Sequence, residues 1–270
     1  MLIDGNELLM SSLEPFMSTL VIIPARLGAT RLPRKPLALL DGKPLIHHVI
    51  EQAHKANIGP VVVAVDSDEL KACVEKVGGH AILTDPCLPS GSDRIYQALE
   101  IFDPQETFTH IVNIQGDMAV FPAHRIKELV DTTHFDITTA VIPLDKERQN
   151  NPHDVKAVLA PAFVPGWHHA CYFSRAPVPY GAAAMWHHMG VYVFRRPILK
   201  RFVSLPPSPL EQTEKLEQLR ALAQGWRIGV KTLPKEPWLS IDTPQDIHNA
   251  EAFLQPKTPT PPHTAAQTVG

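Results

Sequence analysis

Along the first half of the chain, apolar and mixed stretches alternate in blocks, each about the length of one secondary-structure element. Leu20–Pro24 (LVIIP), Val61–Asp66 (VVVAVD), Ala81–Thr84 and His110–Gln115 (HIVNIQ) are short runs, apolar nearly throughout, as expected of strands buried on both faces. Between them, Lys43–Asn57 carries Leu45, Val49 and Ala53 at helical spacing. Ser67-Asp68-Glu69 opens a second helix that Gly78-Gly79 ends, Ser92–Phe102 reads as a third and Pro122–Asp131 as a fourth. Strands alternating with helices in this way predict βαβ units and a Rossmann-like, doubly wound α/β fold with a mostly parallel sheet. Such sheets bind ligands beyond the carboxyl ends of their strands. The loops after Pro24, Thr84 and Gln115 are therefore expected to share one cleft.

The second half is less regular. Ile137–Pro143, Val155–Leu159, Ala170–Ser174 and Met189–Phe194 read as strands joined by Pro-rich connections. Pro206–Pro209 precedes a strong helix over Leu210–Gln224, Arg227–Leu233 is a late strand, and Thr243–Leu254 a final helix. One folded domain is expected over 19–254, after a variable extension (1–18) and before a Pro/Thr-rich tail (255–270) of disordered composition.

Composition narrows the choices. With 44% hydrophobic and 20% charged residues the chain is of ordinary globular type, and a net charge of -3 argues against an electrostatically driven nucleic-acid binder. Any anion must then be held by a local basic cluster. Cys73, Cys87 and Cys171 form no CxxC pair, which argues against a disulfide framework and fits a reducing cytosol. No apolar run is long enough to span a bilayer, and the acidic first 18 residues lack the basic start of a secretory signal. The expectation is a soluble cytoplasmic protein without a membrane partner. The doublets His47-His48, His168-His169 and His187-His188 are poor zinc chelators, because adjacent side chains point in different directions.

Four segments could carry chemistry. Pro24–Pro36 (PARLGATRLPRKP) places Arg26, Arg31, Arg34 and Lys35 at a strand-to-helix junction, where a loop can wrap a polyphosphate, although a solvated basic loop is the alternative. It contains neither a Walker A string nor GxGxxG. Asn113–Asp117 (NIQGD) ends an apolar strand with a carboxylate able to hold Mg²⁺, or to cap the helical region at Pro122, and Gly116 permits close ligand approach. In Ile241–Pro244 (IDTP), Asp242 is a second such carboxylate, or else Thr243 or Asp242 is simply the N-cap of the last helix, with Pro244 at its first position. Pro89–Arg94 (PSGSDR) offers a Ser-Gly turn whose backbone can meet a base edge, or an ordinary capped helix start. With no GxSxG elbow and nothing that points to a Cys–His nucleophile, this chemistry is positioned, metal-assisted phosphoryl transfer.

Taken together, VIIPARLGATRLPRKPL, PSGSDRI, IVNIQGD, YFSRAPVPY, HHMGVYVFRR, PSPLEQTEKLEQLRAL and IDTPQD resemble the 3-deoxy-manno-octulosonate (Kdo) cytidylyltransferase family, from about Leu20 to Leu254. The resemblance implies a nucleotide-diphospho-sugar transferase type of fold with a smaller mixed β portion for dimerisation or a lid. It also implies a nucleotide-binding half (about 19–135), a sugar-binding and dimerisation half (about 136–254), and a homodimer. The implied reaction joins CTP to Kdo or a related acidic sugar, such as 8-amino-Kdo, with Mg²⁺ as cofactor. Arg26, Thr30, Arg31 and Lys35 would hold the triphosphate, Ser90 and Gly91 the cytosine, and Asp117 and Asp242 the metal. Gln115, His188, Tyr192, Glu217 and Gln218 would face the sugar, with Arg94 and Arg175 shared between cytidine and the sugar carboxylate. Three features depart from the family pattern: Met118-Ala119 follow Asp117 where an acidic or apolar residue and then Pro are usual, Arg34 stands where Gly is common, and the stretch between Arg175 and His187 is short.

Overall fold

The computed structural model describes residues 18–28 and 32–254. Thr30, Arg31, the expected C-terminal tail and the expected N-terminal extension apart from Ser18 lie outside the described residues. The first half comprises β1 (Thr19–Ala25), β2 (Leu39–Leu40), β3 (Lys43–Pro44), α1 (Leu45–Ala56), β4 (Val61–Val65) and α2 (Asp68–Glu75). It continues with β5 (His80–Leu83), α3 (Gly91–Phe102), β6 (His110–Asn113) and β7 (Met118–Val120). The second half supplies β8 (Ile137–Leu144), β9 (Lys156–Pro161), β10 (His168–Ser174), β11 (Met185–Arg195) and α4 (Arg196–Ser204). Last come α5 (Pro209–Glu214), α6 (Gln218–Ala223), β12 (Ile228–Thr232), β13 (Leu239–Ser240) and α7 (Pro244–Leu254).

Nine strands form one sheet in the order β5-β4-β1-β6-β11-β8-β12-β10-β9, with β9 also paired to β11. Strands β5, β4, β1 and β6 run parallel, as expected. Successive residues of β1 serve opposite faces: Val21 and Ile23 pack with Leu45, Val49 and Ala53 of α1, Leu20 and Ile22 with Ile95, Ala98 and Leu99 of α3. Two covered faces leave no solvent-facing position between Leu20 and Ile23, which explains the unbroken apolar run there. Ser67 and Ser90 cap α2 and α3, their hydroxyls accepting from Leu70 N and Asp93 N.

Beyond β6 the expectation of a mostly parallel sheet fails. Strand β11 is antiparallel to β6, β8 and β9, and β10 is antiparallel to β9 and β12; only β8 and β12 pair in parallel. A parallel neighbour needs a long crossover, usually a helix. Between β8 and β11 only the 3₁₀ turn Lys146–Arg148 is helical, so these strands return as antiparallel neighbours in a mixed sheet.

Two helix expectations also change. Pro122–Asp131 holds a 3₁₀ helix over Ala123–Leu129. Leu210–Gln224 is two short helices, because Lys215 adopts a left-handed conformation (φ 57°, ψ 47°) and turns the chain between α5 and α6. Arg175 supports that break: its Nε donates to Glu214 O at 2.7 Å and its Nη2 to Lys215 O at 3.3 Å, satisfying carbonyls that the interrupted helix cannot. Helix α4, with Leu199 and Phe202 buried, has no counterpart among the expected elements.

Candidate active site

The loops after Pro24, Thr84 and Gln115 do share one cleft, of about 1030 Å³. Every expected site residue among the described ones lines it, from both halves of the sheet. Its three regions differ in chemistry.

At the first, three segments distant in sequence meet. Lys35 Nζ lies 2.7 Å from Asp117 Oδ2 and 2.9 Å from Asp242 Oδ1. Burial works against the charge on Lys35, but the two carboxylates outweigh it and hold its pKa above the ordinary lysine value. The approach of the carboxylates is built into the backbone. Met118 and Ala119, the residues that depart from the family pattern, are buried in β7, which pairs with β13 (Leu239↔Val120, Ser240↔Met118). Ile241 N also donates to Asp117 O at 2.9 Å, drawing Asp242 alongside. Asp246 then accepts from Asp242 N (3.0 Å), Thr243 N (2.8 Å) and the Thr243 hydroxyl (2.9 Å), so the helix cap falls to Asp246 and Thr243 and leaves the Asp242 side chain to face Lys35. Gly116 packs against β1: a Cβ there would stand 2.6 Å from Pro24 O.

The basic loop is held from beneath. Asp66, at the end of β4, accepts from Leu27 N at 3.1 and 3.2 Å, an anchor outside the expected site although it ends the string VVVAVD. Arg26 is exposed in the cleft. Arg34 adopts a left-handed backbone (φ 58°, ψ 31°), the reason glycine suits that position, and its side chain pairs outward with Glu69.

At the second region, the Ser90 hydroxyl is committed to Asp93, so its backbone is what remains for a ligand. Gly91 N and the Ser92 hydroxyl donate to Glu217, at 3.3 and 2.6 Å, tying the helix break to the start of α3. Arg94 is buried (2% exposed) and donates to the Thr84 hydroxyl at 2.6 Å.

At the third region, His188 stacks edge-on to Phe173 and beside Tyr192. The Thr139 hydroxyl donates to Val191 O at 2.6 Å, so it can only accept from His188 Nε2 at 3.0 Å. This assigns the proton to Nε2 and leaves Nδ1 an acceptor. Burial pushes the His188 pKa down to about 3, so the ring is neutral at neutral pH; burial, reinforced by Glu217, pushes the Tyr192 phenol well up. Gln115 Nε2 donates to Asn113 Oδ1, while the buried Gln218 Nε2 has no partner among the described residues. Arg175, besides its two carbonyls at the helix break, donates from Nη1 to Pro152 O at 3.0 Å.

Among the described residues no group of three or more His, Cys, Asp or Glu is placed to hold a metal. Asp117 and Asp242 make a two-carboxylate set, which suits a cation that completes its shell with phosphate oxygens and water. No helix among the described residues is long and apolar enough to cross a membrane.

Comparison with known proteins gives this geometry a context. A family model described as cytidylyltransferase matches residues 20–231. The 3-deoxy-manno-octulosonate cytidylyltransferase of Methylobacterium radiotolerans is 49% identical over 241 residues, spanning 87% of this chain and 96% of the relative. The protein of the same name from Rhodospirillum rubrum is 45% identical over 240 residues, spanning 87% and 95%. A solved structure of CMP:2-keto-3-deoxy-manno-octonic acid synthetase complexed with CTP is 31% identical, with a TM-score of 0.77 over 87% of this chain and 98% of that one. A Bacillus anthracis structure, 14% identical with a TM-score of 0.59, shares the fold alone.

Proposed function

We infer, for a chain that belongs to the 3-deoxy-manno-octulosonate cytidylyltransferase (CMP-Kdo synthetase) family, that transfer takes place beside Lys35, Asp117 and Asp242. The enzyme moves CMP from CTP to the anomeric 2-hydroxyl of Kdo and releases pyrophosphate, making the activated sugar for lipopolysaccharide assembly. The observation that supports this location is the meeting of one lysine and two carboxylates from three segments, at 2.7 and 2.9 Å.

CTP lies with its triphosphate along the basic loop. Arg26 and Lys35, together with Thr30 and Arg31 of the same loop, neutralise the phosphates, and Lys35 offsets charge that builds on the departing pyrophosphate. Asp66 keeps the loop's backbone in place while this happens. Cytosine sits at the Ser90–Gly91 backbone, and Arg94, steadied by Thr84, adds a fixed positive charge beneath it.

Kdo enters against the third region. Arg175 faces its carboxylate, Glu217, Gln115 and Gln218 its hydroxyls, and Tyr192 packs beside it. His188 works as a neutral acceptor through Nδ1, not as an acid, since its proton is on Nε2 and its pKa is far below neutral. Asp117 and Asp242 would hold Mg²⁺, which when bound supplies charge neutralisation and lowers the pKa of a coordinated hydroxyl. In the absence of nucleotide Lys35 neutralises the same carboxylates. Its place between them lets it turn to the phosphates without leaving the site. The strands of the second half, with their Pro-rich connections, are where we place contact with a second copy of the chain, and the cytoplasm is where CTP is at hand.

The test is pyrophosphate release from CTP with Mg²⁺ and Kdo. Release that depends on the sugar is expected; none with Kdo, in folded protein, would overturn the assignment.

A further inference from the structure

One arm of the cleft takes no part in the reaction as described. It is lined by Arg148, Asn151 and Asp154 from the loop before β9 and by His187 of β11. Asp154 is almost buried (3% exposed), its carboxylate accepts three hydrogen bonds, and His187 Nε2 lies 3.7 Å from its Oδ1. Arg148 Nε donates to Oδ2 at 2.9 Å, Arg148 Nη2 to Oδ1, and Asn151 Nδ2 to Oδ2 at 3.1 Å. This clamp uses the Nε/Nη2 edge of the guanidinium and leaves Nη1 with no bond among the described residues. Arg148 is thus a donor of fixed orientation whose free edge borders the cleft, in a side chain still half exposed.

The loop is stapled to the acceptor wall. Arg175 Nη1 donates to Pro152 O at 3.0 Å, and the buried Lys156 donates to Asn151 O at 2.8 Å and Arg175 O at 2.7 Å. Strand β11 gives the direction. Tyr192 pairs with Asn113 at the end of β6 that leads to Asp117, whereas His187 pairs with Lys156 of β9. Moving back along β11 therefore leads from the reaction centre to Arg148. An octulosonate that reacts through carbon 2 and lies along this direction would bring carbon 8 to Arg148.

We propose that Arg148 is a specificity-determining residue for the acceptor: its Nη1 edge donates to the terminal hydroxyl of an unsubstituted octulosonate and rejects an acceptor that carries an amine there. This rests on the function proposed above. A hydroxyl oxygen can accept a hydrogen bond, whereas an ammonium has donors only. Donor facing donor forms no hydrogen bond, and each group loses water where the ligand covers it. Asp154 compensates little, because Arg148 and Asn151 already occupy three of its acceptor positions and Arg148 offsets its charge. The arm's charges make matters worse for a cation: Arg148, Lys156 and Arg175 stand against Asp154 and Glu214, and His187 is driven neutral by burial. Rejection through an unsatisfied polar group is a form of selectivity that shape alone does not supply.

The experiment measures kcat/KM for Kdo and for 8-amino-Kdo by pyrophosphate release, with CTP and Mg²⁺, at one neutral pH. Wild type should favour Kdo by about tenfold or more. Arg148→Met should cut that preference by about fivefold or more, with most of the change in the KM for the sugars. Arg148→Gln, which offers both a donor and an acceptor, is the second variant should Met fail to fold, and should relax the preference likewise. A wild type that uses both sugars equally, or a preference unchanged in a folded variant, would overturn the inference while leaving the function in place. No turnover with either sugar would overturn both.

Discussion

In the parallel half of the sheet the site residues follow directly from strand ends: Arg26 comes after β1, and Gln115 and Asp117 after β6. In the antiparallel half they sit along a strand, as His188 and Tyr192 do on β11, or in a helix break, as Glu217 does between α5 and α6. Topology alone brings the first group together, since neighbouring parallel strands end on the same side. The second group depends on side-chain locks between distant segments. Arg175 grips the backbone at Glu214 and Lys215, Ser174 donates to Glu214, and Thr139 orients His188. Damage to the first half should therefore show in nucleotide chemistry, and damage to the second in the acceptor or in stability.

The largest effect is expected at Lys35. Lys35→Met should lower kcat by about 10²–10³-fold, since it removes a cation aimed at charge that develops during transfer. Steady-state pyrophosphate release measures this, and a loss confined to the KM for Kdo would blur the distinction between the halves. Gly116→Ala comes next. The new Cβ must displace Pro24 O from 2.6 Å, moving the ends of β1 and β6 apart, and kcat/KM for CTP should fall roughly tenfold to a hundredfold.

In the antiparallel half the clearest signal is pH-dependent stability. His188 has a folded-state pKa lowered to about 3, so below its ordinary value of 6.5 the unfolded chain binds a proton that the native state refuses. Its contribution is complete above pH 6.5 and is lost as pH falls towards 3, at a rate approaching about 1.4 kcal/mol per pH unit. Urea unfolding at pH 7.5, 6 and 5 should show the fall, and His188→Gln should reduce it, the remainder including His187, whose pKa burial lowers to about 4. The smallest effect is expected at the helix break. Lys215→Gly relieves a left-handed residue and should raise stability by about 1 kcal/mol, read from the same urea curves, with turnover unchanged.

The same contrast explains what the sequence could disclose. Unbroken apolar runs such as LVIIP and VVVAVD marked the parallel strands, and the loops after them marked the cleft. The family strings supplied roles for residues in the other half and a mixed β portion, but not that its strands continue the same nine-stranded sheet. Lys215 has no sequence mark of a left-handed residue, because Arg175, far away in the chain, stabilises the break. Arg148 and Asp154 look like surface charges until the fold buries one against the other. Asp242 could be read as a helix cap, an ambiguity that only its partner across the cleft, Lys35, and the separate cap by Asp246 and Thr243 remove. The break, the clamp and the cap are all long-range or side-chain choices, which local patterning does not encode.

The central claim is that Asp117 and Asp242, brought together from distant parts of the chain, act as one unit at the point of transfer. The direct test is a double-substitution cycle, with kcat for pyrophosphate release measured for Asp117→Asn, Asp242→Asn and the pair together in folded protein. If they share one task, each single change should lower kcat by about 10²–10³-fold and the pair should be little worse than either alone. Near-normal turnover in Asp242→Asn, or losses that multiply in the pair, would contradict it.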